Sequence, residues 1–306
     1  MLPFARVTIV GLGLIGSSIA RGVRAHMAGA TVTGFDADPE VRARAAELGF
    51  CHDVTDTPGA AVIDADFVVL CVPPGAMGAA AAALADDLPA DAVVSDVGSC
   101  KASVAAAIAE ALPGAIVIPA HPVAGTENSG PDAGFVSLFH GRWCIVTPPE
   151  GSDAKGLGGA VARVEAFWRL LGAEVERMEP EHHDRVLAVT SHLPHLIAYT
   201  IVGTASDLEE VTRSEVIKFS AGGFRDFTRI AASDPTMWRD VFLANREAVL
   251  EMLQRFTEDL TALQRAIRWG KGDELFELFS RTRAIRRSIV EQGQDDARPD
   301  FGRVHE

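Results

Sequence analysis

Basic side chains are in short supply in this chain of 306 residues: 28 lysines and arginines face 42 aspartates and glutamates, a formal net charge of −14. That deficit excludes a protein that grips nucleic acid through a general basic surface, and it obliges any anionic ligand to find its own local cations. Cysteine is sparse as well. Cys51, Cys71, Cys100 and Cys144 are scattered and form no C-x-x-C pair, which argues against a disulfide framework or a cysteine zinc site and suits a reducing cytoplasm. The zinc motif H-E-x-x-H is missing, so no metal is expected. No apolar run approaches the roughly 18 to 20 residues of a bilayer span, and no signal peptide precedes the first strand-like run, so no membrane association is expected. Repeats are absent, and compositional bias is limited to alanine.

What is present reads as an ordered globular protein, with 48% apolar and 23% charged residues. The length exceeds a typical domain of about 100 to 200 residues, so a larger and a smaller domain are expected. As far as residue 176, short apolar runs alternate with Ala-rich helical stretches, the pattern of βαβ units around a parallel sheet. Strands are expected at 6–10, 31–35, 67–71, 92–95, 116–119, 142–146 and 173–176, with a last crossover helix over 153–171. After Met178 helical periodicity takes over. Within 245–269, Val249, Leu253, Phe256, Leu260, Leu263 and Ile267 recur in steps of four and three, the seam of a coiled-coil-like contact. Leu275, Phe279, Thr282, Ile285 and Ile289 of the next helix offer a partner within the chain; a second copy is the other possibility.

Gly11-Leu12-Gly13-Leu14-Ile15-Gly16 directly follows an apolar strand and opens an apolar helix. In that context Gly11 permits the tight turn, Gly13 lets backbone approach a pyrophosphate, Gly16 allows close helix packing, and the helix N-terminus supplies N–H donors. A second strand ends in Gly34-Phe35-Asp36, where a carboxylate can accept hydrogen bonds from adenine ribose hydroxyls and would repel a 2′-phosphate. No basic residue follows until Arg42, so NAD is favoured over NADP. Asp38, before Pro39, is the better helix cap. The fold class is therefore α/β, with a Rossmann-type parallel-sheet domain over residues 1–178 and an all-helical domain over 179–306.

Ligands of such sheets collect beyond the carboxyl ends of the strands. There the sequence places Cys71-Val72-Pro73-Pro74, Asp96-Val97-Gly98-Ser99-Cys100-Lys101 and His121-Pro122-Val123-Ala124-Gly125-Thr126-Glu127. The helical half adds Glu181-His182-His183-Asp184, Ser191-His192-Leu193-Pro194-His195 and Gly222-Gly223-Phe224-Arg225-Asp226-Phe227-Thr228-Arg229. Pro194 should kink its helix, with Ser191 and His195 one turn apart on one face. His182 and His183 read as solvated residues at a helix start, and Arg225 and Arg229 as a solvated face paired with Asp226 and Asp234 unless a ligand claims them.

Taken together and in order, these motifs resemble the prephenate dehydrogenase family, and more narrowly its cyclohexadienyl members, over nearly the whole chain. The resemblance implies a Rossmann domain joined to a helical dimerisation domain, hence a homodimer, and oxidative decarboxylation of prephenate or arogenate with NAD. It implies that His121 takes the proton of the substrate C4 hydroxyl and that Ser99 shares this hydroxyl. Arg229 is similar to the guanidinium that grips the ring carboxylate, and His195, Ser191, Glu127, Asp226 and Trp238 are similar to other substrate-side residues. Gly11, Gly13, Leu14, Ile15, Gly16, Asp36, Val72, Pro73 and Ser99 line the expected cofactor site. A β-hydroxyacid dehydrogenase is the nearest rival, but it would want a lysine on the first helix of the second domain, and none lies between Met178 and Lys218. A nicotinamide-binding regulator without turnover would have no need of His121, Ser99 and Arg229 together. No chorismate mutase segment or regulatory domain is recognised, so tyrosine feedback is expected to act at the active site.

Overall fold

The computed structural model describes residues 2–126, 128–152, 156–207 and 222–291. Six strands, β1 (Arg6–Val10), β2 (Thr31–Phe35), β3 (Asp53–Val54), β4 (Phe67–Leu70), β5 (Val93–Asp96) and β6 (Ile116–Val117), pair in parallel in the order β3-β2-β1-β4-β5-β6. Their apolar runs are continuous because helices cover both faces. Alternate residues therefore feed two cores: Val7, Ile9, Phe67, Val69 and Val93 enter one, Val10, Val68, Leu70 and Val94 the other. In the first, Phe4 stacks on Phe67 at 4.0 Å.

The expected single parallel series divides in the structure. A second sheet holds β7 (Ala120–Pro122), β8 (Trp143–Val146) and β9 (Glu174–Arg177), with β7 antiparallel to β8. The run expected at 116–119 crosses between the two. Ile118 N–H still donates to the Val94 carbonyl (2.8 Å), whereas the Pro119 carbonyl accepts from Thr147 N–H (3.0 Å). A proline cannot donate to a ladder, which suits the changeover point.

The helices are α1 (Leu14–His26), α2 (Pro39–Leu48), α3 (Pro58–Val62), α4 (Met77–Ala82), α5 (Ala102–Ala111), α6 (Gly158–Leu170), α7 (Pro180–Leu187), α8 (Leu193–Ser206), α9 (Gly222–Thr228), α10 (Pro235–Ala244), α11 (Arg246–Arg268) and α12 (Gly272–Glu291). Strands end at Arg177, among the described residues, but packing divides the chain later, at Val249 and Leu250. The reason is that α10 buries Trp238 and Val241 in the same core as Leu70, Met77 and Val104. A π-helical turn, Ala188–His192, stands between α7 and α8 just before Pro194, a feature frequent at functional sites. One sequence expectation needs correction: the continuous helical run Pro180–Ser206, mean hydropathy 1.4, is by length and composition apolar enough to cross a bilayer. Its His183, Asp184 and His192 are nevertheless buried in the unit that contains the sheets.

In the unit that begins at Leu250, large apolar side chains stand exposed, from Leu260 at 48% to Phe276 at 73%, with Leu250, Ile267, Trp269, Phe279 and Ile285 between. Leu253, Phe256 and Leu263 of the expected seam are half-buried.

The glycine turn tolerates little change. A Cβ at Gly16 would overlap the Gly11 carbonyl and meet Ile9 Cγ2 at 3.0 Å. Gly16→Ala should therefore destabilise the protein by about 1–3 kcal/mol through overpacking, read as a lowered urea midpoint. An unchanged midpoint would show that α1 has room to move off β1.

Candidate active site

The glycine turn lies between the ends of β1 and β4, where the strand order reverses, the ligand-binding crevice of such sheets. Gly11 has φ 97° and a Cβ there would sit 2.5 Å from the Cys71 carbonyl oxygen, so only glycine fits. Gly13 points its missing Cβ into open space, leaving room for a ligand to approach the backbone. Leu14 and Ile15, half-buried, open α1, whose first turn has no acidic residue and whose cap Gly13 makes no side-chain bond, so its N–H groups face outward unclaimed by side chains. Asp36 has a task in the turn itself: one carboxylate oxygen accepts from Leu12 N–H (2.8 Å), the other from Asp38 N–H (3.0 Å). Each oxygen retains a lone pair for a ribose hydroxyl. Asp38 caps α2 through Glu40 N–H (2.8 Å). Val72 flanks Gly11 and Pro73 is exposed beside it. These residues fit a dinucleotide.

Next to this crevice the end of β5 is built around charge. The Asp96 carboxylate accepts from Gly98 N–H (2.8 Å) and from Lys101 Nζ (2.5 Å), and Lys101 Nζ also donates to the Ala120 carbonyl (2.6 Å). Both side chains are fully buried. Removing either would strand the other's charge, so the pair fixes the loop carrying half-buried Ser99 and the strand residue that precedes His121.

His121, 7% exposed on β7, is not solitary. Its Nδ1 lies 2.8 Å from Nε2 of His183, and His183 Nδ1 lies 2.9 Å from the Asp184 carboxylate. That same carboxylate accepts the N–H groups of Lys101 (2.7 Å) and Ala102 (3.0 Å), capping α5 from another helix. His183, expected to be solvated, is fully buried, while His182 is exposed as expected. His183 stands four residues before Leu187 and Asp184 four before Ala188, on the buried face of this helical run.

Burial holds the His121 pKa well below the usual imidazole value, and the facing His183, Lys101 and His192 push the same way. Burial lowers that of His183 too, although the hydrogen bond to Asp184 opposes it. For Asp184 burial acts upward, but His183 and the two backbone donors outweigh it and the carboxyl sits below its ordinary range. His192 is pushed down to about 4, again by burial. Its Nδ1 is 3.1 Å from Asn245 Nδ2, which also donates to the Asp184 carbonyl (2.8 Å), and the backbone of Ser99 faces the ring.

The remaining expected residues form a second group. The His195 ring stacks on buried Trp238 with centroids 3.6 Å apart, and its Nδ1 lies 2.9 Å from the Ser191 carbonyl. Arg229, exposed after α9, is close enough to act electrostatically on His195. Asp226 is exposed on α9. Glu127 lies outside the described residues. The sequence reading missed roles for His183, Asp184, His192, Lys101 and Asn245. The visible signal was polar residues in phase with Leu187 and Ala188.

A glycine turn at the switch point of one sheet, with a buried imidazole on β7 tied through Ala120 and Lys101 to the end of β5, fits a nicotinamide-dependent dehydrogenase. Two family models cover the chain: the nucleotide-binding domain of prephenate dehydrogenase matches residues 19–177, and its dimerization domain matches 179–281. A cyclohexadienyl dehydrogenase of Zymomonas mobilis is 44% identical over 98% of this chain and 100% of its own. A prephenate dehydrogenase of Bacillus subtilis is 31% identical over 92% and 75%. Among solved structures, prephenate dehydrogenase from Aquifex aeolicus, in complex with hydroxyphenyl propionate and NAD+, superposes with a TM-score of 0.85 at 34% identity, covering 94% of this chain and 98% of that one. Synechocystis arogenate dehydrogenase gives 0.76 at 26%, covering 93% and 99%. The chain belongs to the prephenate dehydrogenase family, and it is an NAD-dependent dehydrogenase.

The buried imidazoles also govern stability. A histidine whose folded pKa is depressed leaves the unfolded chain to bind protons first, so stability is full above about pH 6.5 and is lost as pH falls through the folded value. For His192 the window runs from there to about 4, worth on the order of 3 kcal/mol at its lower end. The thermal midpoint should fall between pH 7 and pH 4.5, and His192→Asn should flatten that fall. An equally steep fall in the variant would assign it to other groups.

Proposed function

We propose that this enzyme oxidises and decarboxylates prephenate, arogenate or both, giving 4-hydroxyphenylpyruvate or tyrosine, with His121 as the base. The observation that carries this reading is a dry, neutral imidazole whose Nδ1 is committed to His183, leaving Nε2 to meet a substrate. NAD, when bound, supplies the hydride acceptor. The residues given to its binding are Gly11, Gly13, Leu14, Ile15, Gly16, Val72, Pro73 and Ser99, together with Asp36, whose charge disfavours a 2′-phosphate.

As hydride leaves C4, the C4 hydroxyl becomes a carbonyl and its proton passes to His121 Nε2; the C1 carboxylate leaves as CO2, its bonding pair makes the ring aromatic, and the resulting phenolate oxygen takes the proton back. Ser99 hydrogen-bonds the same hydroxyl. Arg229 holds the ring carboxylate, where a guanidinium fork offsets the negative charge of protein and substrate. His195, clamped between Trp238 and the Ser191 carbonyl, contacts the substrate beside it, and Ser191, Asp226 and Glu127 support the pocket. The hydroxyphenyl propionate of the Aquifex complex has the phenol ring and three-carbon acid of such a product. We assign residues 1–178 to cofactor binding and 179–306 to substrate binding and dimerisation, in a cytoplasm that keeps the four free cysteines reduced.

Absorbance of reduced cofactor, with prephenate or arogenate as substrate, tests the reading. His121→Asn should lower kcat by about 10²–10⁴ with a smaller change in KM, since asparagine still hydrogen-bonds. Wild-type kcat/KM should hold its plateau to a pH below the free imidazole value of about 6.5. Near-normal turnover in His121→Asn would move the base elsewhere, with His195 next to be tested. Separately, monomers seldom expose apolar side chains of the kind carried by α11 and α12 over a large area, so sedimentation at micromolar concentration should give twice the 32.4 kDa chain mass. A monomer would overturn the dimer.

A further inference from the structure

We propose that His183 and Asp184 are positioning residues, a hydrogen-bonded chain that holds His121 in the tautomer protonated at Nδ1, so that Nε2 is its one proton-accepting nitrogen. The proposal rests on the reading of His121 as the base. A carboxylate only accepts, so the 2.9 Å contact between His183 Nδ1 and Asp184 requires a proton on that nitrogen. A neutral His183 then has only a lone pair on Nε2. The 2.8 Å contact to His121 Nδ1 in turn requires a proton there.

The competing arrangement is a doubly protonated His183, which would donate to His121 and leave the base with its proton on the wrong nitrogen. The surroundings disfavour it. His183 is fully buried, and the Lys101 ammonium beside it already supplies positive charge. Asp96, the acid facing it besides Asp184, already has its charge balanced by the buried Lys101 ammonium on its Oδ2. Asp184 also spends acceptor capacity on the N–H groups of Lys101 and Ala102.

The chain has a second consequence in the reaction. When the substrate proton arrives on Nε2, the imidazolium of His121 still donates from Nδ1 to His183, whose Nδ1–H still points at Asp184. The new charge is therefore met by prealigned dipoles and one carboxylate, and no further proton has to move.

Asp184 is a poor place to test this, because its loss also uncaps α5. His183 caps nothing. Its glutamine variant offers a carbonyl oxygen that can accept from His121 Nδ1–H, whereas leucine and methionine fill the space without an equivalent acceptor. With prephenate or arogenate and saturating NAD, His183→Leu and His183→Met should lower kcat by about 10² or more, by analogy with loss of the residue that orients a catalytic histidine. KM and NAD affinity should stay within about threefold, and His183→Gln should recover most of the lost kcat. Either apolar variant suffices if the other does not fold. Turnover within twofold of wild type in a folded apolar variant, or a glutamine variant no better than leucine, would overturn the proposal. If His121→Asn is crippled in the same series, only the positioning role falls; if it is active too, the reading of His121 as base falls with it.

Discussion

Much of this structure converges on the carboxylate of Asp184. It accepts from Lys101 N–H, Ala102 N–H and His183 at 2.7 to 3.0 Å while almost withdrawn from water. A buried carboxylate is tolerated only when its lone pairs are filled. Here one donor set comes from the start of α5 in the sheet region and the other from α7 beyond the last strand. Satisfying one charge therefore docks the helical run onto the sheet, caps α5 and aims the His183 ring at His121. The buried Asp96–Lys101 pair does the same work from the other side, joining the end of β5 to the residue before His121. Both are arrangements in which loss of one partner strands the other, which gives the site its rigidity.

The chemistry uses the dryness these contacts create. On the proposed function the base must begin unprotonated, which burial of His121 favours, with the facing His183, Lys101 and His192 pushing its pKa the same way. On the same proposal the substrate's charge is met elsewhere, by Arg229, in a chain of net charge −14. The site is thus divided between a neutral, enclosed centre around His121 and a more open rim where Arg229 faces His195 on its Trp238 platform.

The glycine turn, Asp36 and most strand positions were legible in the sequence because each is a local matter: a spacing, a run of apolar residues, a break. The division into two sheets was not, since a run such as 116–119 looks alike whether it stays in one sheet or bends at Pro119 into another. His121 and Ser99 entered the sequence reading as part of an ordered set of motifs, and the structure shows His121 buried and Ser99 half-buried. His183 was misjudged because its neighbours Glu181, His182 and Arg185 are exposed and polar, and the phase that buries it shows only against Leu187 and Ala188. His192 and Asn245 depend on partners 53 and 61 residues away, and no local pattern records such pairings. Likewise the late packing boundary at Val249 follows from Trp238 and Val241 entering the sheet's core, which periodicity alone does not reveal.

The account turns on which nitrogen of His121 carries the proton. A two-bond ¹H–¹⁵N correlation spectrum of protein labelled at histidine, recorded at neutral pH with NAD bound and assigned by comparison with His121→Asn, reads this directly. The account predicts a neutral ring protonated at Nδ1 with a bare Nε2. A ring protonated at Nε2, or an imidazolium at that pH, would contradict it.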